Sequence, residues 1–264
     1  MLNLSSTLPR MALSPMPQEV YFYGTCLTDM LQAQAGLAAV ELLESAGIRV
    51  IYPQKQTCCG QPAFNSGFRQ EAAQVIRPQL ALFPKPIPVV VPSGSCGAML
   101  RVHLPHVFEE NDPDHAAAKA LSERVFEWSE FMAEGVKSTL VDAGPPIKVA
   151  YHPSCHLVRE MGVKTAPQAL LSQLENVKQV PFAFADECCG FGGTFAVKHS
   201  GISGSMMGDK VGHLMESGAE VLVSMDSGCL MNLEGGLRRR GSKMRVLPLP
   251  LFLKERILGR PTPA

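Results

Sequence analysis

Eight cysteines, the full complement of the chain, fall into two matching sets of four. The first set is Cys26, the adjacent pair Cys58-Cys59 followed by Gly60, and Cys96 at the end of Pro92-Ser93-Gly94-Ser95-Cys96. The second is Cys155, the pair Cys188-Cys189 followed by Gly190, and Cys229 at the end of Asp226-Ser227-Gly228-Cys229. Matched positions lie 129 residues apart from Cys26 to Cys155, 130 from Cys58 to Cys188 and 133 from Cys96 to Cys229. Scattered cysteines would not repeat in one order at nearly constant offset, so the chain reads as an internal duplication devoted to thiolate chemistry. Four thiolates suit a tetrahedral zinc ion or an iron–sulfur cluster. Adjacent residues on an extended segment point in different directions, so a Cys-Cys pair reaches one ion only where the backbone bends; two irons of a larger cluster accept it more easily. Neither the paired C-x-x-C of zinc ribbons nor the C-x-x-C-x-x-C run of ferredoxins occurs. All eight cysteines are read as metal ligands.

Other residues near these sets could take part. His152 and His156 flank Cys155 and could protonate a substrate oxygen, remove a hydroxyl proton or donate hydrogen bonds to cluster sulfur; capping a helix is the structural alternative. Gly190, Gly192 and Gly193 form a glycine-rich run whose amides could receive an anion, with Lys198 as counter-charge. Equally, these glycines could simply permit close packing around a cofactor. Gly60 and Ser95 hold the corresponding places beside the first set. The run lacks G-x-G-x-x-G and is no nucleotide fingerprint.

The elements needed to position these groups follow from periodicity. Glu19 to Gly24, Ile48 to Tyr52 and Val89 to Val91 read as strands, alternating with helices over about 30–46 and 68–82. A mostly helical stretch covers 106–140, with Val125 to Met132 in its core. After the linker Asp142-Ala143-Gly144-Pro145-Pro146 the plan repeats. Strands are expected at 148–151, 177–182, 220–224 and 244–247, with helices at about 168–174, 206–217 and 250–258. Arg238-Arg239-Arg240 before Gly241 reads as the last turn of a helix. The fold class is α/β: two pseudo-symmetric Rossmann-like halves with small parallel sheets and cysteine loops at the C-terminal strand ends. In a parallel sheet such turns share one edge, which gathers sulfurs distant in sequence and aims helix N-termini at them. The expected organisation is a loose tail over 1–17, a first repeat over 18–144 and a second over 145–264.

Composition sets the class of protein. The chain has 264 residues, 46% of them hydrophobic, with 24 basic and 24 acidic side chains and no net charge. No basic surplus points to nucleic acid. No stretch reaches membrane-spanning length, and the N-terminal residues lack the apolar core of a secretory signal. A reducing, cytoplasmic setting is expected, either free or held at the inner face of the membrane through partners; clustered cysteines there mean metal or redox chemistry.

The pattern Cys26…Cys58-Cys59-Gly60…Cys96 and Cys155…Cys188-Cys189-Gly190…Cys229 resembles the duplicated CCG module. That module occurs in one of the subunits of heterodisulfide reductase, in the small subunit of anaerobic glycerol-3-phosphate dehydrogenase and in the iron–sulfur subunit of glycolate oxidase. Val91-Pro92-Ser93-Gly94-Ser95-Cys96 and Cys188-Cys189-Gly190-Phe191-Gly192-Gly193-Thr194-Phe195 resemble the lactate-utilisation protein A family more closely. The resemblance implies an iron–sulfur subunit of a system oxidising L-lactate to pyruvate. Its clusters would be [4Fe-4S], with zinc as a substitute. Its partners would be a ferredoxin-type iron–sulfur subunit and a third lactate-utilisation protein, and its substrate a small 2-hydroxy acid. A heterodisulfide-reductase-like thiol–disulfide reductase, a glycolate oxidase subunit and a zinc-stabilised scaffold are the alternatives. Heterodisulfide reductase closes each half with C-x-x-C; here Met99 and Asn232 stand in the fifth cysteine position, so four-thiolate ligation per half is expected.

Overall fold

A computed structural model describes residues 10–136 and 139–258. The first nine positions of the tail read over 1–17 lie outside the described residues. The chain divides into two compact units: Met1–Lys137 with His156–Val163, and Ser138–Cys155 with Lys164–Ala264.

In the first unit, β1 (Glu19–Phe22) is followed by α1 (Cys26–Leu31) and α2 (Ala33–Ser45), then β2 (Arg49–Ile51), α3 (Gln61–Asn65), α4 (Arg69–Leu80) and β3 (Val89–Val91). A continuous helical run then starts with α5 (Gly94–Ala98), passes through a π-helical turn over Met99–His103 and ends in α6 (Leu104–Val107). α7 (His115–Ser122), β4 (Val125–Glu127) and α8 (Trp128–Glu130) follow, and a π-helical turn over Phe131–Val136 continues α8. The sheet is parallel throughout, in the order β2-β1-β3-β4.

The second unit repeats this order: β5 (Ile147–Tyr151), α9 (Ala166–Leu171), β6 (Val177–Gln179), α10 (Thr194–Lys198), α11 (Ser200–Glu216), β7 (Val221–Ser224), α12 (Ser227–Arg239), β8 (Arg245–Pro248) and α13 (Leu249–Leu258). Its sheet, β6-β5-β7-β8, is also parallel. The turn following Cys155, His156–Glu160, is π-helical and falls in the first unit.

Burial explains the strand sequences. The inner strands β3 and β7 are buried at every position and apolar but for Ser224 at the end of β7, whereas β2 and β6 at the sheet edges are only partly covered. Continuous apolar strands are what a sheet covered on both faces requires. The two α/β halves with parallel sheets appear as expected.

One expectation fails. Val125 to Met132 is not one helical core: Val125–Glu127 forms β4, and helix resumes only at Trp128. A three-residue segment carries no periodicity of its own, and parallel pairing of Val89, Val90 and Val91 with Val125, Phe126 and Glu127 decides it. The helix expected from 206 begins earlier, at Ser200.

Candidate metal centres

Each cysteine lies in the segment that follows a strand, before or at the start of the next helical turn, as parallel topology demands. Cys26 opens α1 after β1, and Cys58-Cys59 precede α3 after β2. Cys96 lies in the first turn of α5 after β3, where the Ser93 side chain accepts a hydrogen bond from the Cys96 N–H. In the second unit Cys155 follows β5 and Cys188-Cys189 follow β6; Cys229 sits in the first turn of α12, its N–H donating to Asp226 Oδ1 at 3.2 Å. Ser93 and Asp226 therefore perform the same capping task in the two halves.

The sulfurs meet in series. In the first quartet Cys26 hydrogen-bonds Cys58, Cys58 hydrogen-bonds Cys59, and Cys59 Sγ lies 3.3 Å from Cys96 Sγ. In the second, Cys155 hydrogen-bonds Cys188, Cys188 hydrogen-bonds Cys189, and Cys189 hydrogen-bonds Cys229. Two members of each quartet are buried, Cys59 with Cys96 and Cys189 with Cys229, and the other two are partly exposed.

The glycine after each pair provides the bend. Gly60 and Gly190 adopt φ of 83° and 84°, a left-handed conformation that other residues rarely take. A Cβ at Gly60 would stand 2.9 Å from Ile76 Cδ1; at Gly190 it would stand 2.5 Å from the Ser203 carbonyl oxygen. The C-C-G triplet thus sets two consecutive cysteines facing their partners and lets the following helix pack close behind.

Gathering sulfurs in an apolar pocket works against ionising them. The hydrogen bond to Cys58, then burial, pushes the Cys26 thiol up. Cys59 is raised well above its ordinary value: Cys58 pulls it down, but the hydrogen bond to Cys96 and burial prevail. Cys155 and Cys189 rise through their hydrogen bonds to Cys188 and through burial, and Cys188, receiving both, is held down. Four thiolates at such a site need a positive charge among them, which a metal ion or an iron–sulfur centre supplies. The donor set fits that occupant twice. In the second half one imidazole nitrogen of His152 joins Cys189 and Cys229 Sγ in a group whose atoms all lie within 4.8 Å of one another.

The fifth positions are otherwise engaged. Met99 is fully buried in the first core. Asn232 donates from Nδ2 to the Cys189 carbonyl at 2.8 Å, supporting a cysteine through its backbone.

Residues 20–101 and 149–234 each match the CCG family, described as a cysteine-rich domain. Lactate utilization protein A of Geobacillus kaustophilus is 41% identical over 238 residues, covering 90% of this chain and 99% of that protein. The protein of the same name from Macrococcus caseolyticus is 40% identical over 239 residues, 90% of this chain and 97% of its own. The chain belongs to the lactate utilization protein A family. Among solved structures, a hypothetical protein from Helicobacter pylori shares the fold with a TM-score of 0.56 at 13% identity; the match covers 97% of this chain and 51% of that one. No helix among the described residues is long and apolar enough to cross a membrane.

The remaining candidate residues of this family member are dispersed around the quartets. His152 is completely buried, and burial, with Lys210 adding to it, lowers its imidazole to about 3, so it stays neutral. His156 is partly exposed, its Nε2 3.6 Å from Glu160 Oε1, while His103 Nε2 lies 2.8 Å from Glu160 Oε2. Lys198 is exposed in the last turn of α10, and Gly192 and Gly193, both at positive φ, precede that helix. Ser95 Oγ stands 3.3 Å from Ser93 Oγ beside Cys96.

Three groups escaped the sequence reading. Glu160 is not within two residues of any cysteine, so nothing marked it. Lys210 and Gln79 sit in helices behind the two quartets, where a Lys or Gln ordinarily signals a solvated face. Laying one half over the other would have paired them, 22 residues past Cys188 and 21 past Cys58.

Proposed function

We propose that this chain is the iron–sulfur subunit of a system that oxidises L-lactate to pyruvate, each quartet holding one cluster of the [4Fe-4S] class. What supports the reading is the conjunction of two sulfur quartets built on one plan with about 40% identity, over nine-tenths of the chain, to proteins named for lactate utilization. The partners are a ferredoxin-type iron–sulfur subunit that receives electrons and a third lactate-utilisation protein. The setting is cytoplasmic. The clusters, when bound, supply acceptors for single electrons; zinc can substitute in open thiolate sites.

The chain's own residues do the remaining work. Oxidation of a 2-hydroxy acid to the 2-oxo acid releases two electrons, which leave to the ferredoxin-type partner, and two protons, one from the hydroxyl and one from Cα, the latter passing to solvent. His156 accepts the hydroxyl proton, and the Glu160 carboxylate, 3.6 Å from its Nε2, favours the imidazolium that forms. Within the second unit, Lys198 and the amides after Gly192 and Gly193 can hold an anion. His152 is closed off from solvent, so its part lies with the sulfurs rather than the substrate.

Anaerobic purification followed by iron and sulfide analysis and EPR tests this reading. Iron with acid-labile sulfide is expected, with EPR signals that appear on adding L-lactate in the presence of the partners. Stoichiometric zinc without iron would overturn the cluster assignment. Oxidation of glycolate but not lactate, or reduction of a disulfide by the reduced chain, would move the activity to one of the other CCG systems.

A further inference from the structure

The two quartets are backed by different chemistry at equivalent places. Tyr23 stands three residues before Cys26, and His152 three before Cys155. In the first half Tyr23 is buried and its hydroxyl lies 2.8 Å from Gln79 Oε1 and 2.9 Å from the Thr57 carbonyl oxygen. Gln79 Nε2 donates to the Cys58 carbonyl at 2.7 Å and the Val75 carbonyl at 3.2 Å, and its Oε1 accepts from the Thr57 N–H at 3.2 Å. The phenol and the amide thereby pin the loop that carries Cys58-Cys59, and both are neutral.

In the second half the same task falls to Lys210, 2% exposed, with His152. The Lys210 Nζ donates to the Ala185 carbonyl at 2.9 Å and to the Glu187 carbonyl, pinning the loop before Cys188, and its third neighbour is His152 Nδ1 at 3.5 Å. Phe182 adds a ring face 5.6 Å from the nitrogen. Three acceptors match the three N–H groups of an ammonium. A cation donating to Nδ1 leaves the imidazole proton on Nε2, and that atom is buried with no hydrogen-bonding partner among the described residues. The third difference is at the helix cap: neutral Ser93 in the first half, Asp226, 4% exposed, in the second.

We infer that Lys210, His152 and Asp226 form a tuning set for the centre of the second half that has no charged counterpart in the first. Lys210 and the Nε2–H of His152 favour the more negative, reduced state of the centre, and Asp226 opposes it. A hydrogen bond to sulfur and a buried charge beside it are among the protein's main controls over such a centre. Lys210 and Asp226 are positioning and electrostatic residues, with no contact to substrate assigned. The inference rests on both quartets holding a metal centre, as in the function proposed above.

The halves themselves supply substitutions compatible with the fold. Lys210→Gln with His152→Tyr gives the second half the first half's pair; Tyr23→His with Gln79→Lys does the reverse; Asp226→Ser installs the first half's cap. The readouts are the midpoint potential of each centre by EPR-monitored redox titration of the full chain, and competition of the halves for Co2+ added to metal-free protein. Signals are assigned with quartet-specific Cys→Ser variants. Lys210→Gln/His152→Tyr is expected to lower the potential of the second centre alone and to weaken its Co2+ affinity about 10- to 100-fold. Asp226→Ser should raise that potential, and Tyr23→His/Gln79→Lys should raise the first. Lys210→Arg, which keeps the charge, should stay near wild type and separates charge from folding should the double variant not fold. Potentials unmoved in Asp226→Ser and in the first-half swap would overturn the inference while leaving the metal sites standing. Failure of both halves to bind any metal would overturn the sites as well.

Discussion

Replacing the glycine after each cysteine pair tests whether backbone shape, rather than flexibility in general, assembles the quartets. Gly60→Ala and Gly190→Ala impose the same left-handed residue, which costs about 1–2 kcal/mol for an L side chain. They differ in what the new methyl meets. At Gly60 it meets the end of the Ile76 side chain at 2.9 Å, which can rotate away. At Gly190 it meets the Ser203 carbonyl oxygen at 2.5 Å, with the Met207 backbone nitrogen at 3.2 Å, so helix α11 itself must shift. Overpacking against backbone adds roughly 1–3 kcal/mol. Gly60→Ala should therefore destabilise its half by about 1–2 kcal/mol and Gly190→Ala by roughly 2–5 kcal/mol.

The measurement is urea unfolding of metal-free protein under reducing conditions. Trp128, the single tryptophan, is fully buried in the first unit and donates to the Ala39 carbonyl at 3.0 Å, so its fluorescence follows that unit. Far-UV circular dichroism follows both. Gly60→Ala should shift the fluorescence transition modestly. Gly190→Ala should leave fluorescence nearly unmoved and displace the part of the dichroism transition not mirrored by it. Equal costs at the two sites, or a Gly190→Ala protein as stable as wild type, would refute the argument that the triplet works through close approach of α11.

Other consequences follow from individual groups. Cys59→Ser or Cys189→Ser removes a buried thiol from one quartet only, so on the proposed function each should lower bound iron by about half, measured by metal analysis. Glu127 is buried at the end of β4, and burial raises its carboxyl to about 8, above the ordinary value near 4.3. Its contribution is complete below that ordinary value and is lost as pH rises through about 8, so Glu127→Gln should flatten the decline in stability between those limits, read by denaturant unfolding across that pH range. Asp142 pairs with Arg256 in the second unit, both side chains buried. Burial raises the Asp142 carboxyl, but Arg256 and the N–H groups of Gly144 and Asn176 outweigh it and hold it below the usual range. Arg256→Ala should cost about 3–5 kcal/mol at neutral pH by stranding a buried carboxylate, measured by denaturant unfolding. That loss should shrink as pH falls through the depressed Asp142 value, since stability from a lowered carboxyl is present above its ordinary value and disappears in acid.

The gathering of the cysteines was legible in the sequence because a duplicated pattern supplies its own control: eight cysteines in two registers point to one edge of each sheet, and the topology puts them there. Strand β3, three valines between turn residues, was equally plain. β4 was not, because Val125-Phe126-Glu127 adjoins an apolar run through Met132 and only pairing with β3 distinguishes it from helix. The groups behind the sulfurs were hidden for another reason. Burial of Lys210 is set by tertiary packing against Phe182 and two carbonyls that lie 23 and 25 residues earlier, a contact that no local pattern encodes.

Duplication also explains why the two halves can differ where they do. The backbone that gathers the sulfurs is fixed in both by the same devices: a positive φ after the pair, a side-chain cap on the N–H of the last cysteine, and a side chain from a following helix holding a carbonyl of the loop that carries the pair. Each device constrains hydrogen bonding and shape and is indifferent to charge. Serine and aspartate both accept at a cap, and an amide or an ammonium can both donate to a carbonyl. Charge at those positions can therefore vary without disturbing the ligand geometry. Ser93 against Asp226, and Tyr23 with Gln79 against His152 with Lys210, are the three places where this pair of sites has used that freedom, and exchanging them between halves should exchange electrostatics while conserving the fold.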